Sequence, residues 1–340
     1  MESPPPPGID EREAIRALAE TWAIEVAGLR YELKGFGSHH WVGDSSDGRR
    51  WFVKLDGLED KPYLGDDPTS ARRGLEAAYG TAHRLERAGL AFVVAPVPTL
   101  GGQILLPVGE AWTLSVFPFV DGATGEWGRG GPVEQRRRLV RTLAELHGVT
   151  PGAEWSTPRR SWELPGRAAL EAALAEVGGT WTGGPYSGAA RQVLKEHLSL
   201  IRGWLARLDS VASDIAAAGH HLVVTHGEPH PGNVMTAGGD LRVIDWDTVA
   251  LGPAERDLWM FDNDVEALRA YERASGHAID PTAMSFYRLT WALSDVAAFI
   301  AALRRPHARN RVTEKSWSGL VSILDGSEPA PYGGGRVGPR

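Results

Sequence analysis

His226-Gly227-Glu228-Pro229-His230-Pro231-Gly232-Asn233 and, with its Asp twelve residues beyond that Asn, Ile244-Asp245-Trp246-Asp247 are the two stretches around which the chain can be arranged. Two short apolar runs, Leu222–Thr225 and Leu241–Ile244, bracket the first. Runs this short, bounded by Gly, Pro and Asn, read as strands around a loop. Working upstream, the pattern is helical back to Gly122. Val133–His147 puts Leu139, Val140, Leu143 and Leu146 on one face, and Ala189–Ala218 is a long helical region. Downstream, helix resumes after Pro281 and runs to about Leu303.

Before Gly122 the period changes. Leu29–Leu33, His40–Val42 and Arg50–Leu55 read as strands, the last two joined by the turn Asp44-Ser45-Ser46-Asp47-Gly48. Ser70–Ala88 reads as a helix with Leu75, Tyr79, Ala82 and Leu85 on one face. Gln103–Leu106 and Thr113–Phe119 follow as strands after the Gly101-Gly102 turn. The expected fold class is α+β, with an N-terminal antiparallel sheet lobe and a mainly helical C-terminal lobe. The expected division is a Pro-rich disordered tail over 1–11, lobes over 12–119 and 120–327, and a flexible tail over 328–340. Phe117–Gly122 is the natural hinge, and a cleft between two lobes is a common ligand site.

Glu228 and Asn233 lie five residues apart. Phosphoryl transfer to a hydroxyl needs a group that aligns the hydroxyl and accepts its proton, and a metal that neutralises phosphate charge. Mg²⁺ prefers oxygen ligands in near-octahedral geometry. A carboxylate, an Asn five residues on, and an Asp after a strand supply these parts in the order of a protein-kinase catalytic loop and metal-binding segment.

The pattern resembles the aminoglycoside phosphotransferase family, whose loop usually reads His-Gly-Asp with an Asn five residues after the Asp. Asp245-Trp246-Asp247 followed by Leu251-Gly252-Pro253-Ala254-Glu255-Arg256-Asp257-Leu258 is similar to its spectinomycin-phosphotransferase branch. The likeness covers about residues 25–300, with the middle helices matched only in kind. It implies a bilobal, protein-kinase-like fold and the cofactors ATP and Mg²⁺. It implies Glu228 as catalytic base, Asn233 and Asp245 as metal ligands, His226 as a tie between loop and metal segment, and Asp257 as a brace for the loop.

The chain departs from the family at one place: the catalytic Asp is Glu228. One more methylene carries the carboxylate about 1.5 Å further out, and misplacement on that scale costs on the order of 100-fold in rate. Three expectations follow. The loop is drawn back, helped by Pro229; or Asp247 positions the hydroxyl; or the chain is a nucleotide-binding pseudokinase regulator. His226 and His230 resemble a metal pair, but no third ligand of suitable spacing accompanies them, so zinc is not expected.

The sheet lobe is expected to hold nucleotide. Lys54, in Trp51-Phe52-Val53-Lys54-Leu55, sits where a third strand places a phosphate-pairing Lys. Gly37 and Ser38 lie in the Gly35–His39 turn, whose amides could approach phosphates. Glu76 is the expected partner of Lys54, with Glu86 as competitor. Phe117 and Phe119 are expected to meet adenine through their backbone. Trp127, Trp155, Trp162 and Trp181 fall where the family shapes its acceptor pocket, and serve either as stacking surfaces or as core.

Composition narrows the rest. The chain has 340 residues, a net charge of −7 and no cysteine. Disulfides, thiolate catalysis and Cys-based zinc sites are thereby excluded. The acidic balance, with no long basic run, points away from nucleic acid and is compatible with a cationic ligand. Met1–Gly8 is a Pro run without the basic start and apolar core of a signal peptide, and no stretch of 18 apolar residues occurs. No membrane partner and a cytoplasmic location are therefore expected. Only about ten residues separate Asp247 from Asp257, too few for an activation loop, so a protein acceptor is not expected. The expected function is ATP- and Mg²⁺-dependent O-phosphorylation of a small hydroxylated acceptor, by resemblance an aminoglycoside or related antibiotic. The alternative is a kinase for a metabolite such as an amino alcohol or sugar.

Overall fold

The structure, a computed structural model, describes residues 11–32, 38–160, 162–328 and 331–332. Strands β1 (Val26–Glu32), β2 (Ser38–Ser45), β3 (Arg50–Gly57), β4 (Leu106–Val108) and β5 (Trp112–Pro118) form an antiparallel sheet in the order β1-β2-β3-β5-β4. Side chains alternate across a strand, and β3 uses both faces. Trp51, Val53 and Leu55 pack with Leu29, Trp41, Leu114 and Val116 on one side. Phe52 packs on the other, the face that also carries Lys54 and Asp56.

Helix α1 (Glu11–Trp22) covers the first face. It was not expected from the strand-rich reading of this region, although Ala14, Leu18 and Trp22 recur every four residues and are all buried. Its ends are tied down: Leu29 N–H donates to Glu11 Oε1 at 3.0 Å and Trp22 Nε1–H to the Val97 carbonyl at 2.9 Å. Helix α2 (Pro68–Arg87) covers the other face. It starts where Asp67 accepts from the Thr69 and Ser70 amides and Pro68 takes the first turn, whose orphan N–H groups need caps.

After the hinge come β6 (Ala123–Thr124) and α3 (Val133–His147), whose bounds coincide with the periodic run read from the sequence. Helices α4 (Arg167–Ala175), α5 (Ser187–Glu196) and α6 (Leu198–Ala218) follow. The region read as one helix breaks at His197, which leaves helical geometry at ψ 14°. Strands β7 (Val223–Thr225), β8 (Val234–Ala237), β9 (Asp240–Val243) and β10 (Ala250–Gly252) carry the two motifs: β10 pairs with β7, and β8 lies between β6 and β9. Helices α7 (Glu255–Leu258), α8 (Val265–Ser275), α9 (Pro281–Arg304) and α10 (Arg311–Leu324) complete the lobe. By length and composition α9 could cross a membrane, with mean hydropathy 1.3 in its most apolar window. In the fold it is the central core helix, packed against α4, α6, α7 and α10. The architecture is the two-lobed arrangement expected: an antiparallel sheet lobe followed by a helical one.

Leu18 is 0% exposed and pins α1 to the sheet. Leu18→Ala should destabilise the protein by about 2–5 kcal/mol, read from the midpoint of urea unfolding.

Candidate active site

Lys54 lies at the centre of a buried charge cluster between the lobes. Its Nζ is 2.7 Å from Asp245 Oδ1, 3.3 Å from Asp56 Oδ1 and 3.6 Å from Asp247 Oδ2. A second lysine, Lys61, reaches Asp247 Oδ2 at 2.6 Å and Asp56 Oδ1 at 3.1 Å. Burial alone would push both ammonium groups down, but the carboxylates outweigh it and hold both well above the usual lysine range. Burial likewise opposes ionisation of Asp247, and Lys61 and Lys54 reverse this and hold it low. The hydroxyls of Tyr79 and Tyr63 donate to Asp56 Oδ2 at 3.2 Å and Asp247 Oδ2 at 2.9 Å.

This geometry corrects the expected partner of Lys54. Glu76 is exposed on α2, and Tyr79, one turn on, is the α2 side chain that meets Lys54. The carboxylate comes instead from Asp56, two residues along β3 and therefore on the same face as Lys54. The competitor Glu86 is also exposed and accepts the Ala95 N–H at 3.5 Å. Gly37 lies outside the described residues. Ser38 Oγ donates to Asp56 Oδ1 at 2.7 Å, so its hydroxyl serves the cluster.

The hinge expectation also shifts. Phe119 N–H donates to the Arg50 carbonyl at 3.0 Å, and Phe117 pairs with Phe52. Hydrogen bonding alternates along an antiparallel pair, so both residues turn their backbone groups to β3. Between them, exposed Pro118 turns its carbonyl the other way, where an adenine edge can use it.

The catalytic loop is held from behind by Asp257. Its Oδ2 and Oδ1 accept the His226 and Gly227 amides at 2.8 and 2.5 Å, and His147 Nε2 lies 3.1 Å from Oδ2. Burial would raise this carboxyl, yet His147 and Arg256 keep it low. Gly227 has φ +98°, and a Cβ there would meet the Arg256 guanidinium at 2.1 Å, so only glycine fits. Burial keeps His226 neutral. Its Nδ1 accepts the Glu228 N–H at 3.1 Å, so its Nε2–H donates to the Ile244 carbonyl at 3.0 Å, tying the loop to the segment before Asp245. Asp245 itself sits in the left-handed region at φ 63°, a conformation Asp tolerates and one that recurs where function demands it.

Asn233 donates its amide N–H to the Glu228 carbonyl at 3.0 Å, and its own carbonyl takes the Ile244 N–H at 3.0 Å. The Asn233 side chain thus spends its N–H on the loop and keeps its amide oxygen as an acceptor, while the side chain of Asp245 is 40% exposed. An amide oxygen and a carboxylate are the hard donors Mg²⁺ takes when phosphates and water complete its shell, so these residues fit that ion.

The Glu228 carboxyl is half-buried. Burial, with negative charge from Asp247, Asp245 and Asp295, pushes it up to about 8. Asp295 on α9 was not anticipated. Burial and the nearby Glu328 push it up to about 7, while Lys315 and a hydrogen bond from Trp291 oppose them. Trp291, one turn before Asp295, stacks on Trp127 with centroids 5.4 Å apart, and both rings meet His230 of the loop. His230 Nδ1 accepts the Gly232 N–H at 3.1 Å and caps the turn after it. Of the four tryptophans singled out in the sequence, Trp127 borders the loop; Trp155, Trp162 and Trp181 pack on the helical core.

A lysine-bearing sheet lobe, a braced carboxylate–Asn loop and a metal-type Asp define a kinase-like phosphotransferase. Residues 38–289 match the phosphotransferase enzyme family, and the chain belongs to that family. It is 29% identical over 306 residues to Protein StrN of Streptomyces griseus, covering 82% of this chain and 89% of that one. A spectinomycin phosphotransferase in complex with ADP and spectinomycin superposes with TM-score 0.71 at 16% identity, covering 93% and 97% of the two chains. Choline kinase LicA from Streptococcus pneumoniae superposes with TM-score 0.57 at 11% identity, covering 92% and 98%. Family membership carries with it ATP- and Mg²⁺-dependent transfer to a hydroxyl of a small molecule.

The raised Glu228 makes a test that needs no substrate. A carboxyl raised in the fold contributes stability that is complete below its unfolded value, about 4.5, and is lost as pH rises through about 8. Glu228→Gln removes this loss. Its melting temperature should match the parent near pH 4.5, exceed it increasingly up to about pH 8 and keep a constant margin above, by thermal scans without metal.

Proposed function

We propose that this phosphotransferase transfers the γ-phosphoryl group of ATP to a hydroxyl of an aminoglycoside-type acceptor that carries ammonium groups. The observation that supports a cationic acceptor is the field around Glu228, where Asp245, Asp247 and Asp295 all add negative charge. The stacked pair Trp127–Trp291, packed against His230 of the same loop, supplies aromatic surface, suited to the face of a ring or to a cation. The relation in fold to a spectinomycin phosphotransferase agrees with this acceptor class.

The roles follow from the chemistry of each group. Glu228 orients the hydroxyl and takes its proton. Lys54 pairs with nucleotide phosphates, and the Pro118 carbonyl faces the adenine amino group. Asn233 and Asp245 would hold Mg²⁺, which when bound neutralises the phosphate oxygens. Asp247 does not replace Glu228, because Lys61 and Tyr63 occupy its buried carboxylate. The second reading, an amino-alcohol kinase, is favoured by the same aromatic surface, which suits a small quaternary ammonium, and by the fold shared with choline kinase LicA. Mg²⁺-dependent ADP release over aminoglycosides, aminocyclitols, choline and a neutral polyol separates the two. Turnover confined to choline would sink the first reading.

Two substitutions test the machinery. Asp245→Ala removes the charged metal ligand, and turnover should fall by at least about 100-fold, since metal neutralisation supplies several kcal/mol to the transfer. Glu228→Gln keeps size but not basicity, and turnover should fall about 100- to 10,000-fold with nucleotide affinity little changed. Glu228→Asp should also be slower than the parent, because the loop is fixed behind a longer side chain. Full activity in the Gln variant would remove Glu228 from the role of base.

A further inference from the structure

Between α3 and α4 the chain crosses the cleft outside both motifs, and it carries Arg160. The Arg160 backbone N–H donates to the Leu251 carbonyl at 3.1 Å, and Arg159 bridges to Leu251 on β10. That strand pairs with β7, which leads directly into the catalytic loop. The Arg160 side chain reaches the other lobe. Its guanidinium donates to the Tyr63 carbonyl and lies 5.7 Å from the Tyr63 ring centroid. The Tyr63 hydroxyl in turn donates to Asp247. Arg160 is therefore anchored at both ends of its reach, in the wall that also carries Asp247.

The other deep cations near the motifs are already occupied. Lys54 and Lys61 hold carboxylates within 4.0 Å, and Arg256 is spent on Thr225 and the Thr248 carbonyl. Among the described residues no carboxylate lies within 4.0 Å of Arg160, although Glu228 and Asp247 feel its charge. A guanidinium with five donors, one of them used by a carbonyl among the described residues, is a ready partner for a phosphoryl oxyanion. A cationic acceptor would be repelled from it and drawn to Asp295 instead.

We propose that Arg160 is a further catalytic residue that contacts the phosphoryl group in transit. The inference rests on the reading of the cleft as the nucleotide site. In the step it serves, the acceptor oxygen bonds to phosphorus while the bond from phosphorus to the bridging oxygen of ADP breaks. The leaving ADP keeps that electron pair, and the hydroxyl proton passes to Glu228. Charge spread over the three equatorial oxygens is what the guanidinium meets.

Calorimetric titration with Mg·ADP and with Mg and a non-hydrolysable ATP analogue, on the full chain, separates this role from scaffolding. In Arg160→Gln the preference for the triphosphate over the diphosphate should shrink by about 10-fold or more, as for loss of one charge-assisted contact, with ADP affinity unchanged. Turnover should fall by at least about 100-fold, and Arg160→Lys, which keeps the charge without the fork, should recover part of both losses. An equal loss of both nucleotides, an unchanged preference, or an effect confined to the acceptor KM would overturn the proposal. A parent protein that bound neither nucleotide would overturn the nucleotide-site reading and this inference with it. A parent that bound both while both variants kept the full preference would overturn this inference alone.

Discussion

Two buried lysines and three aspartates close the cleft, and the remaining geometry depends on their balance. Asp56 and Asp247 are almost wholly removed from water, which is tolerable only because Lys54 and Lys61 stand within hydrogen-bonding reach of them. Asp56 belongs to the sheet lobe and Asp247 to the helical one, so the cluster fastens the lobes at a fixed separation. Removing one member would leave an uncompensated charge, a loss of the order of 3–5 kcal/mol. Asp245 is the exposed member and shares Lys54. If phosphate takes Lys54 and Mg²⁺ takes Asp245, as proposed, nucleotide binding would exchange this internal ion pair for external ones and leave the Lys61–Asp247 pair in place.

The loop carrying Glu228 is rigid for a different reason. No strand ladder satisfies its amides, so side chains do it: Asp257 takes two and His226 a third. Thr248 donates to the His226 carbonyl at 2.8 Å, and the Tyr332 hydroxyl, kept protonated by burial, donates to the Pro229 carbonyl at 2.5 Å. Each residue flanking Glu228 is thus fixed independently of Glu228. A loop held this way can present a longer carboxylate with little loss of precision, because the tether is in the backbone.

The two motifs and the change of period near Gly122 made the fold and the residues of the loop legible in the sequence. Lys54 was legible from strand order, and α3 from a clean apolar stripe. Other features were not, for physical reasons. Asp56 shares a face with Lys54, since residues two apart on a strand do, whereas the helical Glu76 points to water. Lys61, Tyr63 and Arg160 belong to connections without periodicity, and they acquire meaning only when the lobes close on each other. Asp295 is hidden in an apolar helix whose neighbours are core. That Phe117 and Phe119 turn their backbone groups to β3 was not legible either, because hydrogen-bond alternation on β5 is set by its pairing with β3 and leaves no trace in composition.

The field that makes Glu228 a poor acid to ionise also bears on its substrate. Burial, reinforced by Asp247, Asp245 and Asp295, pushes the carboxyl up to about 8, so that at neutral pH most of it is protonated. A base works best when its pKa lies close to the operating pH, so anything cationic placed in this cleft moves Glu228 towards its optimum. Mg²⁺ on Asp245 would do so from one side, and an ammonium beside Asp295 from another. A neutral acceptor offers only the first. On the proposed reading, selectivity for amines then needs no dedicated rejection of neutral molecules, since an acceptor bearing an ammonium completes the electrostatics of its own deprotonation.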